Sequence, residues 1–199
     1  GVTRVSGEKE VCYLMDNLEV LEAYDRMEMY IDPEYRTDFA RRKKETRSAI
    51  KEVFWQKERK MYAVAVDLDG NCISSETKEF YPDAIAQVYA LACDEDIYDE
   101  STVRQWYEEI SGRYPWVSMQ MDTTFEWPVM SYIAMQLQDV ASAERYLDNY
   151  RKVYGSNRKY PYKVSDAGWT ARTYEKLYEY YGTKAKRGLK EVIEEKWKQ

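Results

Sequence analysis

Four times along this chain a segment apolar on most of its sides is followed by one carrying a single apolar stripe. Residues 10–31 hold Val11, Leu14, Met15, Leu18, Val20, Leu21, Tyr24, Met27 and Ile31, a broad apolar coverage at helical spacing. Residues 33–53, opened by Pro33, keep Tyr35, Phe39, Thr46, Ala49, Ile50 and Val53 on one narrow face among charges. Residues 82–93 and 128–140 repeat the first character, and residues 101–111 and 142–154 the second. Residues 167–181 with 184–198 form a weaker fourth pair. A helix apolar all round must be covered on every side, whereas one stripe marks a helix with a face in water. The alternation predicts an all-α fold of helical hairpins with an inner and an outer row. The expected architecture is an α/α toroid, or a partial toroid of about four helical hairpins, in a single domain over residues 1–199. A helical solenoid would also produce the alternation. The enclosed segments begin near residues 11, 82, 127 and 166, however, and such uneven intervals do not fit strict repeats of about 34 residues.

One β signal interrupts the pattern. Residues 61–66 (MYAVAV) alternate small and large, DLDG at 67–70 turns the chain, and Asn71 to Ile73 returns, so a small β-hairpin is expected near residues 60–75. DLDGN also resembles the start of a calcium loop, but its glycine comes fourth instead of sixth and its twelfth position is Lys78, so a plain turn is expected. A short extended piece is expected over residues 160–164, ahead of Ser165 and Asp166, which are good helix N-caps.

Composition supports the helical reading. Glycine (8) and proline (5) are too scarce for a loop-rich β protein, and 33% charged with 44% hydrophobic residues is a globular balance. No apolar run approaches the roughly 18–20 residues that span a bilayer, so no membrane partner is expected. The net charge is −6 and the pI near 5.0, which argues against nucleic acid; the run Arg41-Arg42-Lys43-Lys44 reads as the solvated face of a helix. Cys12, Cys72 and Cys93 have neither disulfide-framework nor zinc spacing, and no metal or cofactor is implied. Beginning Gly-Val-Thr, the chain reads as a piece of something longer, and nothing in it assigns a compartment.

Histidine is absent, which removes Ser-His-Asp and Cys-His nucleophilic systems, HExxH metal sites and any histidine base. Chemistry performed by this chain falls to carboxylates, tyrosines or lysines. Carboxylates sit beside large aromatics where the enclosed helices start: Tyr13 with Asp16, Tyr81 with Asp83, Asp122 and Glu126 with Trp127, and Asp166 with Trp169. Each acid has an electrostatic reason to sit at a helix start, worth about 0.3–1 kcal/mol. In a ring of parallel inner helices, however, all four starts share one end and would line a common cleft. Paired carboxylates with flat aromatic walls are what glycoside cleavage requires.

The stretches "VFWQKERKMYAVAVDLDGN" and "FYPDAIAQVYAL", with "CYLMDNLEVLEAY" before them, resemble segments of the six-hairpin glycosidase superfamily, the (α/α)6 toroids. The resemblance covers about residues 11–155 and rests on pattern. It implies oligosaccharide as partner and the N-terminal ends of inner helices as the site. Asp83 and Glu126 are then the catalytic candidates by position, with Asp16, Tyr81, Trp127, Asp166 and Trp169 as sugar contacts. Epimerases sharing the toroid resemble histidine-dependent catalysts and fit less well. A complete toroid has six hairpins against four here, which implies a missing N-terminal part. Apolar faces at the cut edges would then lead to self-association or pairing with that segment. The competing expectation is a non-catalytic helical-repeat scaffold for a protein partner, its acids serving only as caps.

Overall fold

The computed structural model describes residues 1–4, 10–74, 76–94, 96–97, 99–121, 127–156 and 162–196, with side chains beyond 184 described only at Arg187. The fold is mostly helical, with seven α-helices and two small antiparallel sheets among the described residues. The chain divides into two compact units, Gly1–Tyr114 and Pro115–Gln199.

In the N-terminal unit, strand β1 (Cys12–Tyr13) leads directly into helix α1 (Leu14–Met27), and a short 3-10 turn at Pro33–Tyr35 opens α2 (Arg36–Phe54). Four short strands follow: β2 (Trp55–Gln56), β3 (Met61–Tyr62), β4 (Ala65–Val66) and β5 (Cys72–Ser74). The expected hairpin is the β4–β5 pair, closed by Gly70 at φ 82°. The Asp67 carboxylate accepts the Asp69 and Asn71 N–H groups and the Asn71 side-chain amide at 2.8–3.0 Å, so this acid is occupied by its own turn. The MYAVAV run does not stay in one hairpin. Its first half pairs with β2, Tyr62 opposite Trp55, and its second half adds β1 to make the order β1-β4-β5.

A wide helical turn at Phe80–Ala84 enters α3 (Ile85–Cys93), and α4 (Glu100–Arg113) completes the unit. Helix α3 is apolar all round and is buried at every position except Leu91. Gln87 is buried with it because its amide mimics a strand: it accepts the Tyr62 N–H at 3.0 Å and donates to the Tyr62 carbonyl at 2.9 Å. An edge of β3 is thereby satisfied by a helix side chain. Arg47 on α2 donates to Asp94 at the end of α3 at 2.7 Å, and that carboxylate is only 5% exposed. The basic run lies on the exposed side of α2, where Arg41 pairs with Asp38 and Glu45, Arg42 with Asp38, and Lys43 with Asp25.

In the C-terminal unit, α5 (Val129–Gln136) is buried at every position except Gln136, α6 (Val140–Tyr154) along one stripe, and α7 (Val164–Lys196) runs on as one helix. The core is aromatic: Trp116 packs on Tyr146, which stacks on Tyr150.

Two expectations require correction. Residues 167–198 do not make a fourth hairpin, because α7 continues through Gly182-Thr183. A single glycine costs a helix only about 1 kcal/mol, and no proline is present to stop it. Nor is α1 enclosed: Leu14, Asn17, Leu18 and Leu21 form one buried stripe, while Met27 is exposed. Its apolar residues are numerous, but Met15, Val20 and Tyr24 meet partners on part of their surface only. The sharp contrast between enclosed and striped helices therefore holds for α3 against α2 and α4, and for α5 against α6.

Candidate functional site

Contacts along the helices set their direction. On α1 and α3, the Tyr89 phenol donates to Glu19 at 3.2 Å and the Cys93 thiol to Glu22 at 3.9 Å. Both members of these pairs advance together, so α1 and α3 run parallel and begin at the same end of the N-terminal unit. An offset of 70 to 71 residues sets Asp83 level with Tyr13. Asp16 lies one helical turn further along, about 5 Å of rise. On α5 and α7 the same holds. The Lys163 ammonium sits 5.5 Å over the Trp127 ring, Tyr132 meets Trp169 at 5.4 Å, and Ser131 and Thr173 share a hydrogen bond of 3.0 Å. These helices also run parallel and start together.

The end of the N-terminal unit where α1 and α3 begin gathers Tyr13, Asp16, Tyr81 and Asp83. Tyr13 and Tyr81 are 41% and 53% exposed, unusual for large rings beside a core. Tyr81 has extended backbone inside the wide turn (φ −119°, ψ 133°), and the Tyr81-Pro82 bond is cis. The preceding segment is fastened by the end of α4. The Tyr114 phenol donates to the Thr77 and Lys78 carbonyls at 2.8 Å, and Arg113 donates to the Thr77 carbonyl at 2.6 Å. Asp83 is half-buried. Burial lifts its pKa above the ordinary carboxylate value; the Glu79 N–H it accepts opposes this, while nearby Glu76 and Glu79 add to the lift. Asp16 is exposed to water. One carboxyl whose pKa is raised by burial and one open to solvent therefore lie at the same end as two exposed phenol rings.

At the corresponding end of the C-terminal unit the structure brings together Trp127, Asp166 and Trp169. Asp166 is 5% exposed and its carboxylate accepts the Lys163 N–H at 3.0 Å, the reach-back half of a capping box. Burial raises its pKa, against the pull of the Lys163 amide and ammonium. Helix α7 starts at Val164, so Asp166 caps from its third residue and not from the N-cap position expected of it. The Trp169 ring is covered by the Arg172 guanidinium at 4.4 Å. These residues are spent on one another, and they fasten the start of α7 to the start of α5. Glu126, like Asp122, lies outside the described residues.

Residues that the sequence reading did not select form a second concavity in the C-terminal unit. Tyr150 and Tyr154 on α6, Tyr162 before α7, and Thr170 and Tyr174 on α7 surround about 220 Å³, with Arg151 also in the wall. The four-residue spacing of Tyr146, Tyr150 and Tyr154 was visible in the sequence, but it reads equally as the buried stripe of an outer helix. Among the described residues no group of three or more cysteine, aspartate or glutamate side chains is gathered to hold a metal ion, and no helix is long and apolar enough to cross a membrane. No known protein family, curated protein or solved structure matches the chain.

Proposed function

We propose that this chain is a carbohydrate-active protein of the six-hairpin glycosidase kind, built as part of an α/α toroid, and that it binds oligosaccharide where α1 and α3 begin. The observation that carries this reading is the parallel start of those two helices, which places Tyr13, Tyr81, Asp16 and Asp83 at one end. Tyr13 and Tyr81 offer flat faces to sugar rings. Asp83, with its pKa raised, is the proton donor to the glycosidic oxygen; Asp16, open to water, is the carboxylate available in this unit to activate the attacking water. The parallel pairs α1/α3 and α5/α7, each with a striped helix folded back beside it, support the toroid reading.

Titration of the protein with neutral gluco-, manno- and xylo-oligosaccharides, followed by NMR, tests the reading. Binding of one series is expected, weakened about tenfold (about 1.4 kcal/mol) by Tyr81→Ala and kept by Asp83→Asn, which abolishes any hydrolysis. No binding by any series, or equal binding by the Tyr81→Ala variant, would overturn it.

A second reading, a scaffold for a protein partner, is favoured by one feature. Met27, Met29, Tyr30 and Tyr35 are all exposed at the α1–α2 turn, Tyr30 to 84%. Under that reading the acids at the helix starts act as caps alone, and oligosaccharide titration gives no response.

A further inference from the structure

The tyrosine-walled concavity of the C-terminal unit has a chemistry of its own, and what it can hold follows from the spacing of its rings. Tyr150, Tyr154 and Tyr162 lie 4.9, 5.7 and 6.1 Å apart by ring centroid, tilted 40–52° to one another. At those distances the three rings pack against each other and leave no slot between them. They form a platform whose Tyr150 and Tyr154 members are largely covered (5% and 9% exposed) and whose open side is Tyr174, 47% exposed, not the cage that encloses an alkylammonium group. A cation is disfavoured further by Arg151 in the wall. Thr170 is already committed, donating to the Asp166 carbonyl at 2.7 Å. Among the described residues, the Arg151 guanidinium bonds Asp148, from Nη2 at 2.9 Å, a solvent-exposed i,i+3 pair that is weakly held. Its remaining donors have the fork geometry that matches a carboxylate. Asp166, the nearest buried acid, is not part of the wall, and its carboxylate is engaged by the Lys163 amide. The volume of about 220 Å³ is below the roughly 300–1,000 Å³ of sites for drug-sized ligands, which limits the occupant to about one ring.

We propose that this pocket binds a single-ring carboxylate, the ring lying on the tyrosine platform against Tyr174 and the carboxylate on the Arg151 guanidinium. The shared chemistry could come from a sugar acid or from an aromatic acid, and it does not rest on the carbohydrate reading of the N-terminal unit.

The test is an NMR titration of the full chain with benzoate, benzyl alcohol, glucuronate, glucose and benzyltrimethylammonium. Benzoate, glucuronate or both are expected to bind at least tenfold more tightly than the neutral partner; benzoate alone identifies an aromatic acid and glucuronate alone a sugar acid. Arg151→Gln should erase that preference, and Tyr174→Ala should weaken the preferred acid about tenfold. Both side chains are solvent-exposed, and circular dichroism verifies that the variants fold. Equal binding of benzoate and benzyl alcohol with no response to glucuronate, a preference that survives Arg151→Gln, or tighter binding of the ammonium compound would each overturn the proposal. The Tyr81→Ala variant should leave these titrations unchanged, which separates failure here from failure of the oligosaccharide reading.

Discussion

At the scale of single residues, the carboxyls at the helix starts differ because their surroundings differ. Asp99 caps α4 in full solvent, bonded by Ser101 and Thr102, and its pKa is held down to about 2. Asp166 performs a related capping task at the start of α7, but burial dominates there and its pKa rises. A carboxyl with a raised folded pKa contributes stability that is whole below its unfolded value, near 3.8, and is lost as pH climbs through the folded value. Asp166→Asn keeps an acceptor for the Lys163 N–H and cannot ionise. Urea midpoints of this variant, compared with the parent, should therefore rise progressively as pH climbs above about 4. A difference independent of pH would show that ionisation of Asp166 costs the fold nothing.

At the scale of elements, the short strands persist because helices complete them. Two-residue strands have little pairing of their own. β3 is held on one side by β2 and on another by the Gln87 amide of α3. Replacing Gln87 by Met keeps the shape and removes both bonds to Tyr62 in a fully buried setting. Unfolding in urea should register a loss of about 2 kcal/mol or more, since each buried backbone group left unpaired costs roughly 1–3 kcal/mol. A loss below 0.5 kcal/mol would mean that another group takes over. The Arg47–Asp94 bridge ties α2 to α3 in the same fashion, with a charged pair where Gln87 uses an amide.

For the whole molecule, the apolar surface left in water matters most. The sequence led us to expect it along the faces of cut inner helices. Besides Tyr13 and Tyr81 at the helix starts, exposed large side chains gather at the α1–α2 turn and along α7, where Tyr174, Tyr178, Tyr180 and Tyr181 face solvent to different degrees. Such patches mark association surfaces. Sedimentation velocity over a concentration series should show reversible self-association, and Met29→Lys with Tyr30→Lys should shift the distribution toward monomer. A single monomeric species across the series would count against an association surface at the turn.

The sequence by itself determined that the chain is helical, where most helices lie, that α2, α4 and α6 are striped, and that Gly70 closes a β-hairpin. These follow from periodicity and from turn chemistry, which act over a few residues. It also determined that histidine chemistry is excluded, a matter of composition alone. Periodicity measures how much apolar surface a helix has, not whether neighbours arrive to cover it, so α3 and α1 read alike while only α3 is enclosed. Nor did local pattern show that Gln87 would finish a strand, or that Tyr150, Tyr154, Tyr162 and Tyr174 would meet around one concavity. Tertiary structure decided these, because each depends on a partner far away in the chain. Asp83 belongs to both accounts: the sequence placed it in the first turn of an apolar helix, and the parallel packing of α1 and α3 set it at the same end as Tyr13 and Asp16.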